Sequence, residues 1–465
     1  MLKILIEKEF REIIGSRKFV YSFAVCSFLI ILTFFVGVKN YEVNNRKYEA
    51  SKSENIRSMK GVTDWRMVEH KIFLPPTPLS SIVSGISNDI GRTIDMQGRG
   101  ELTAFDSRYN ESPIFAVFRF LDLNFLFQVI LSLFAILFAY NAINGEREQG
   151  TLKLIFSNSV PKDKYIIAKI VGTAGVLFVA ILIPFLIGIA ILLFSGIALS
   201  AEEWMKLLLI IVSGFLFTLA FLTLSVFVST ITKKSSGSFL ILLVVWIFAV
   251  LVIPRTSVLV AGRMIDVPSI DKINSQKSAF NRQVSEELMK NLTNLKVKDG
   301  EDAIQALNRV MEENGKEREK QLKSFYQKVN EQRRNKQIEQ EQLAFTIARL
   351  SPASCFNFAV SELAGTSLNL IRDFENSAKT YQKIYENFQI EKTGMATGSG
   401  MQVIVRSNDE EAEEINPSEM PQFKFRPAGF SEVFTRAASD LGILALFNLI
   451  FFMAAYIKFL KYDVR

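Results

Sequence analysis

Histidine and cysteine are almost absent from this chain. Its 465 residues include one histidine, His70, and two cysteines, Cys26 and Cys355. A cluster of His and Cys metal ligands is therefore excluded. A Ser-His-Asp triad could be built only on His70, and no nucleophile motif lies near it. Cys26 falls inside an apolar block and Cys355 in a polar region far down the chain, so the two are expected at different depths and unbridged. No Gly-x-x-x-x-Gly-Lys-Ser/Thr stretch occurs, so the chain cannot cradle ATP in a P-loop.

Charge is missing too, but only locally. The 49% hydrophobic content is ordinary for a globular protein and decides nothing as an average. The apolar residues are gathered into blocks of about 18 residues or more, the length that crosses about 30 Å of hydrocarbon. Six such spans are expected, at 19–38, 122–143, 170–194, 207–231, 239–253 and 441–460. The chain reads as an all-α polytopic membrane protein. The first block is too long for a signal peptide, and Val38-Lys39-Asn40 offers no small-residue cleavage site. Ahead of it, residues 1–18 carry Leu2, Leu5, Ile6, Phe10, Ile13 and Ile14 at helical spacing with Lys and Glu opposite, the pattern of an interfacial amphipathic helix. Pro184 is expected to kink the third span.

Lys and Arg set the orientation. The N-terminal segment carries five, and 144–169 carries Arg147, Lys153, Lys162, Lys164 and Lys169. Lys233 and Lys234 follow the fourth span, and Lys458, Lys461 and Arg465 follow the sixth. The short loop at 195–203 has none. Both termini are therefore expected in the cytoplasm, with 39–121, 195–203 and 254–435 outside.

The insertion at 254–435 is dense in Glu, Lys, Arg and Gln. Apolar residues recur at three- and four-residue steps, as in Phe280, Val284, Leu288 and Leu292, then Ile304, Leu307 and Met311, then Leu322, Phe325 and Val329. This predicts amphipathic helices in a long hairpin, with breaks at Gly300 and Gly315. Ser351-Pro352 opens a further apolar stretch over 355–370, expected to dip into the outer membrane face. Residues 391–427, with weak alternation at 401–406 and an acidic run at 409–414, read as loop or short strands.

The segment 144–169 carries the most information. It reads Asn144-Gly145-Glu146-Arg147-Glu148-Gln149-Gly150-Thr151-Leu152-Lys153-Leu154-Ile155-Phe156-Ser157-Asn158-Ser159-Val160-Pro161, then runs through Lys162 and Tyr165 to Lys169. Gly150 permits a tight turn. Leu152, Leu154, Ile155 and Phe156 offer an apolar knob on a short exposed helix with Glu146 and Glu148. This order of an acidic pair, Gly-Thr-Leu, an apolar run, Ser, Val-Pro and a Lys entering the next span resembles the signature of ABC-2 type transporter permeases. The resemblance implies that the segment docks on a separate ATP-binding cassette ATPase. Glu146, Glu148, Gly150, Thr151, Leu152 and Leu154 are then the coupling residues. It also implies a second permease, identical or paralogous, and places ATP, the system's cofactor, on the partner rather than on this chain. The Leu74-Pro75-Pro76-Thr77-Pro78-Leu79-Ser80 run and Leu350-Ser351-Pro352-Ala353 are similar to permeases with an enlarged periplasmic region, of the nitrous-oxide-reductase maturation type. A bacterial cytoplasmic membrane location follows from the same resemblance.

Within the spans, Asp122, Gln128 and Asn448 could line a substrate path. The alternative is hydrogen bonding to a neighbouring helix. Asn124 carries the same two readings. No buried Lys, Arg or acidic pair is evident there, which argues against an ion-coupled pump. Two functions remain: the membrane subunit of an ATP-driven exporter, and a mechanical transmitter acting on a periplasmic partner with nothing crossing the bilayer. Membrane lipid is a further partner, nucleic acid is not expected, and a membrane-bound enzyme has no support.

Overall fold

Short polar residues begin three of the spanning helices. Ser16 accepts from the Phe19 amide at 3.2 Å and starts the helix Arg17–Arg57. Asp122 accepts from the Phe125 amide at 2.9 Å and starts Leu123–Glu148. Ser200 and Glu203 close a reciprocal capping box at the head of Ala201–Ile231. The computed structural model describes residues 1–87, 91–96, 104–105, 122–158, 160–293, 303–393 and 414–462. The expected break at Gly300, the alternation at 401–406, and 409–413 lie outside them.

Among the described residues, six helices are long and apolar enough to cross a membrane: Arg17–Arg57, Leu123–Glu148, Lys162–Phe194, Ala201–Ile231, Ser235–Met264 and Phe430–Leu460. The protein is an all-α polytopic membrane protein. Several helices outrun the bilayer. At 1.5 Å per residue, the 31 residues of Phe430–Leu460 reach about 46 Å, beyond about 30 Å of hydrocarbon. The first helix continues to Arg57, well past Val38. Pro184 lies buried inside the uninterrupted helix Lys162–Phe194.

The chain forms two compact units, residues Met1–Pro254 with Ala348–Arg465, and residues Arg255–Ile347. In the first, the second and fourth spans are the most enclosed, with 50% and 56% of their apolar windows buried against 17% for the sixth. The sixth therefore leaves most of its apolar surface to lipid or another subunit.

A further helix, Pro352–Leu363, sits within this unit, capped by Ser351 with Pro352 in its first turn. Nearly all of it is buried: Ala353, Cys355, Phe356, Ala359 and Val360 are each 0% exposed. It is packed inside the protein core. Phe356 stacks on Phe217 and meets the Phe127 ring edge-on. Two π-helical turns adjoin it, Leu126–Leu131 and Ile247–Val252. Such a turn leaves a carbonyl without its usual intrahelical donor. The Ala249 carbonyl, in the second of them, accepts from the Ser351 hydroxyl. From the first, Gln128 Nε2 donates to the Ala353 carbonyl at 3.2 Å.

A small antiparallel sheet follows the first helix, His70–Phe73 against Thr93–Met96 and then Ala104–Phe105. His70 is buried between Asn55 Nδ2, at 3.2 Å, and the Tyr381 hydroxyl, at 2.9 Å. Both cysteines are free and buried.

The second unit contains Ile270–Thr293 and most of Ala303–Ala348, pairing antiparallel. Phe280 stacks on Phe325 at 4.0 Å between centroids, and Arg318 Nη2 donates to Asn281 Oδ1 at 3.1 Å. The helix expected to break at Gly315 runs straight through it, because glycine in a helix interior costs only about 1 kcal/mol. The side chains of Leu292, Ile304, Leu307 and Met311 lie outside the described ones.

Candidate coupling site

The last turn of the second spanning helix, Asn144–Glu148, meets a short helix, Thr151–Ser157, at Gly150. Gly150 has φ +75°, a left-handed conformation that side-chain-bearing residues avoid, and the space beside its Cα is open. The Thr151 hydroxyl donates to the Glu146 carbonyl at 3.1 Å and ties the second helix to the first.

Three straps hold this elbow. Glu146 is buried, 8% exposed, and its Oε1 lies 2.6 Å from Lys169 Nζ on the third span. Its Oε2 accepts from the Tyr165 hydroxyl. Glu148 accepts from the amide and hydroxyl of Ser235, at 3.0 and 2.6 Å, at the head of the fifth span. Arg147 Nη1 donates to the Tyr462 hydroxyl at 3.0 Å, and Lys162 Nζ donates to the Tyr462 carbonyl at 2.8 Å. Phe459 of the sixth span stacks on Tyr165, which Phe156 meets edge-on.

The expected exposed helix is thus only partly exposed. Glu146 faces inward to Lys169. Leu152 is 2% exposed and belongs to the core, while Leu154, 66% exposed, is the apolar side chain that points outward. Ile155 and Phe156 are half-buried.

The amphipathic helix Leu2–Ile14 completes the site. Glu9 lies in its apolar stripe and is 6% exposed, with Oε1 2.7 Å from Lys169 Nζ. A methyl group on Gly172 would come within 2.7 Å of Glu9 Cβ, so glycine sets how closely this helix crosses the third span. Burial raises the Glu9 carboxyl above the usual carboxylate range, and Lys169 opposes that rise. Lys8, 3.6 Å from Glu146, adds a second, more exposed cation. Carboxylate oxygens of Glu9, Glu12 and Glu146 lie within 4.8 Å of one another. The ammonium of Lys169 already bridges two of them, so a metal ion would meet a like charge there.

Buried charges sit just outside the expected spans 170–194 and 441–460. Lys169 is 4% exposed between two carboxylates. Arg349 grips Asp440, 4% exposed, through two hydrogen bonds at 2.6 and 3.0 Å. Each charge was hidden by distance along the chain. The one available signal was Glu9, a charge in an apolar stripe, which calls for a buried partner.

The candidate path residues make structural bonds. Asp122 Oδ2 accepts from the Ser84 amide at 3.0 Å. Gln128 Nε2 also donates to Asn124 Oδ1 at 2.9 Å, and Asn124 donates to Asn357 of the buried helix. Asn448 Nδ2 donates to the carbonyls of Leu216 and Leu444, both at 2.9 Å.

Six apolar helices, three of them tied together by a strapped elbow, define a multi-pass membrane protein. A family model described as ABC-2 family transporter protein matches residues 3–464. The chain belongs to that family. No curated protein matches it.

Proposed function

We propose that this chain is the membrane-spanning permease subunit of an ATP-driven exporter in a bacterial cytoplasmic membrane, with both ends in the cytoplasm. A separate ATP-binding cassette ATPase seats on the Gly150 elbow, and a second permease, identical or paralogous, completes the membrane domain. The observation that carries this reading is the elbow itself. An exposed Leu154 stands on a short helix whose neighbour is bonded to the third, fifth and sixth helices through Lys169, Ser235 and Tyr462. A push at Leu154 therefore reaches three spans through short ionic and hydrogen-bonded links rather than through a loose loop.

The test is affinity purification of the full chain in mild detergent, with Leu154→Glu as the probe. Wild type is expected to bring down an ATPase subunit and stimulate it. Leu154→Glu, which alters an exposed side chain, is expected to fold and lose both. A preparation without any ATPase, or a variant that keeps association and stimulation, would falsify the reading.

The paired helices of residues Arg255–Ile347 support a second reading, a mechanical transmitter of the type resembled by nitrous-oxide-reductase maturation permeases, acting on a periplasmic partner. Deleting 270–345 separates the two. Partial transport survives under the first reading, and partner capture vanishes under the second.

A further inference from the structure

A cleft of about 140 Å³ opens at the end of the spans away from Gly150. The proline-rich run Pro75–Leu79 forms one wall, and Leu363 and Phe425 add apolar surface. Helices Ala201–Ile231, Asn369–Thr393 and Phe430–Leu460 all begin at its rim, through Lys206, Leu370 and Val433. Their amino ends add positive potential.

Its charges are divided between two poles. Among the described residues, Lys206 Nζ has one polar partner, the Ala428 carbonyl at 3.4 Å, and no carboxylate. The Thr77 hydroxyl, in the facing wall, is buried with no hydrogen-bond partner. The other pole is acidic. Arg436 is shared by two lining carboxylates, Glu362 at 3.4 Å and Asp373 at 3.1 Å, and by Glu432 outside the lining, so the lining at this pole keeps at least one formal negative charge in excess. Glu362 is 8% exposed.

Glu203, one turn before Lys206 in the same lining, is turned to the Ser200 amide at 2.7 Å and makes no ion pair with Lys206. A cation without an ion pair and a carboxylate pair in excess of its guanidinium, in one cleft, call for a ligand with both charges. We propose that the cleft binds a phosphodiester bearing a primary amine, the chemistry of a phosphoethanolamine headgroup. The phosphate lies on Lys206 and accepts from the Thr77 hydroxyl. The ammonium donates to Asp373 and Glu362. The source is membrane lipid. Met205, Leu208 and Val212, exposed at i, i+3 and i+7 on the helix that carries Lys206, run from the cleft along the outside of the span and offer a surface for acyl chains. This site needs neither ATPase nor transport, so it stands or falls apart from the function proposed above.

The experiment is native mass spectrometry of the full chain in detergent, titrated with phosphatidylethanolamine, phosphatidylglycerol and phosphatidylcholine of matched acyl chains. One phosphatidylethanolamine per chain is expected, at about tenfold lower concentration than the other two. Soluble glycerophosphoethanolamine is expected to displace it, and inorganic phosphate is not. Lys206→Ala and Asp373→Asn should each weaken binding about tenfold, while Lys233→Ala, at the opposite end, should leave it unchanged. If Asp373→Asn does not fold, Lys206→Ala and Lys206→Glu carry the test, since Lys206 makes no ion pair among the described residues. Equal binding of all three lipids, a preference for phosphatidylglycerol, displacement by phosphate as efficient as by glycerophosphoethanolamine, or unchanged binding in both Lys206 variants overturns the proposal.

Discussion

Lys169→Met removes the one cation between two buried carboxylates, and its consequence can be worked from the distances. At 2.6 and 2.7 Å, each pair has a gross Coulomb attraction of about 6 kcal/mol at an effective dielectric constant of 20. Desolvation of three ions offsets most of that. Breaking such a buried pair from one side nevertheless costs about 3–5 kcal/mol, because the abandoned charges stay buried. Lys8 is half-exposed and 3.6 Å from Glu146, too far and too wet to substitute. The helix Leu2–Ile14 is the element free to leave, since undocking returns Glu9 to water. Its opening constant should then rise by a factor of about 10² to 4 × 10³, at 1.4 kcal/mol per tenfold. Hydrogen exchange followed by mass spectrometry reads this directly in the amides of Leu2–Ile14. Glu9→Gln in the Lys169→Met background removes one of the stranded charges. It should recover about 1–3 kcal/mol, a non-additivity expected of direct partners. Unchanged exchange in Lys169→Met, or strict additivity in the double variant, would refute the buried ionic lock.

Three further outcomes follow from the same physics. Burial holds the His70 imidazole down at about 4 from an ordinary 6.5, so below pH 6.5 the unfolded chain binds a proton that the folded chain does not. The stability this contributes is complete above pH 6.5 and gone below about 4, up to about 3 kcal/mol, and His70→Gln should flatten melting temperature against pH across that window. Gly150→Val forces a β-branched residue into a left-handed conformation at about 1–2 kcal/mol. ATPase stimulation should fall while the global melting temperature changes little. Gly172→Leu drives a side chain into Glu9 and should expose Leu2–Ile14 to protease, whereas Gly175→Ala, facing Phe10 at an ordinary 3.7 Å, should not.

What could be read along the chain was what neighbours in sequence decide. The six apolar helices, the amphipathic helix before them and the glycine elbow depend on periodicity, length and one φ angle. Lys169 was visible only as a lysine entering a span. Its partners lie 23 residues back at Glu146 and 160 residues back at Glu9, and periodicity says nothing about pairing at those separations. For the same reason Glu146 reads as solvated until Tyr165 and Lys169 are seen above it. Pro352–Leu363 reads as partly polar because Ser354, Asn357 and Ser361 are hydrophilic by type. Asn357 and Ser361 are bonded inside the core, where their polarity is satisfied rather than exposed. Gly315 misled in the other direction, since a residue that weakens an isolated helix is tolerated in a long one.

The elbow's third strap sets an order of assembly. Glu9, Glu146 and Lys169 can meet once the third span is made, and Ser235 follows with the fifth. The ring of Phe459 and the groups of Tyr462 that hold Arg147 and Lys162 are synthesised about 290 residues after Lys169, or about 15–60 s later at elongation rates of about 5–20 residues per second. Throughout that interval the elbow lacks its last tether. Under the proposed docking role, a chain interrupted before its final helix would offer the ATPase an unfinished surface, and tight docking would discriminate completed permeases from truncated ones.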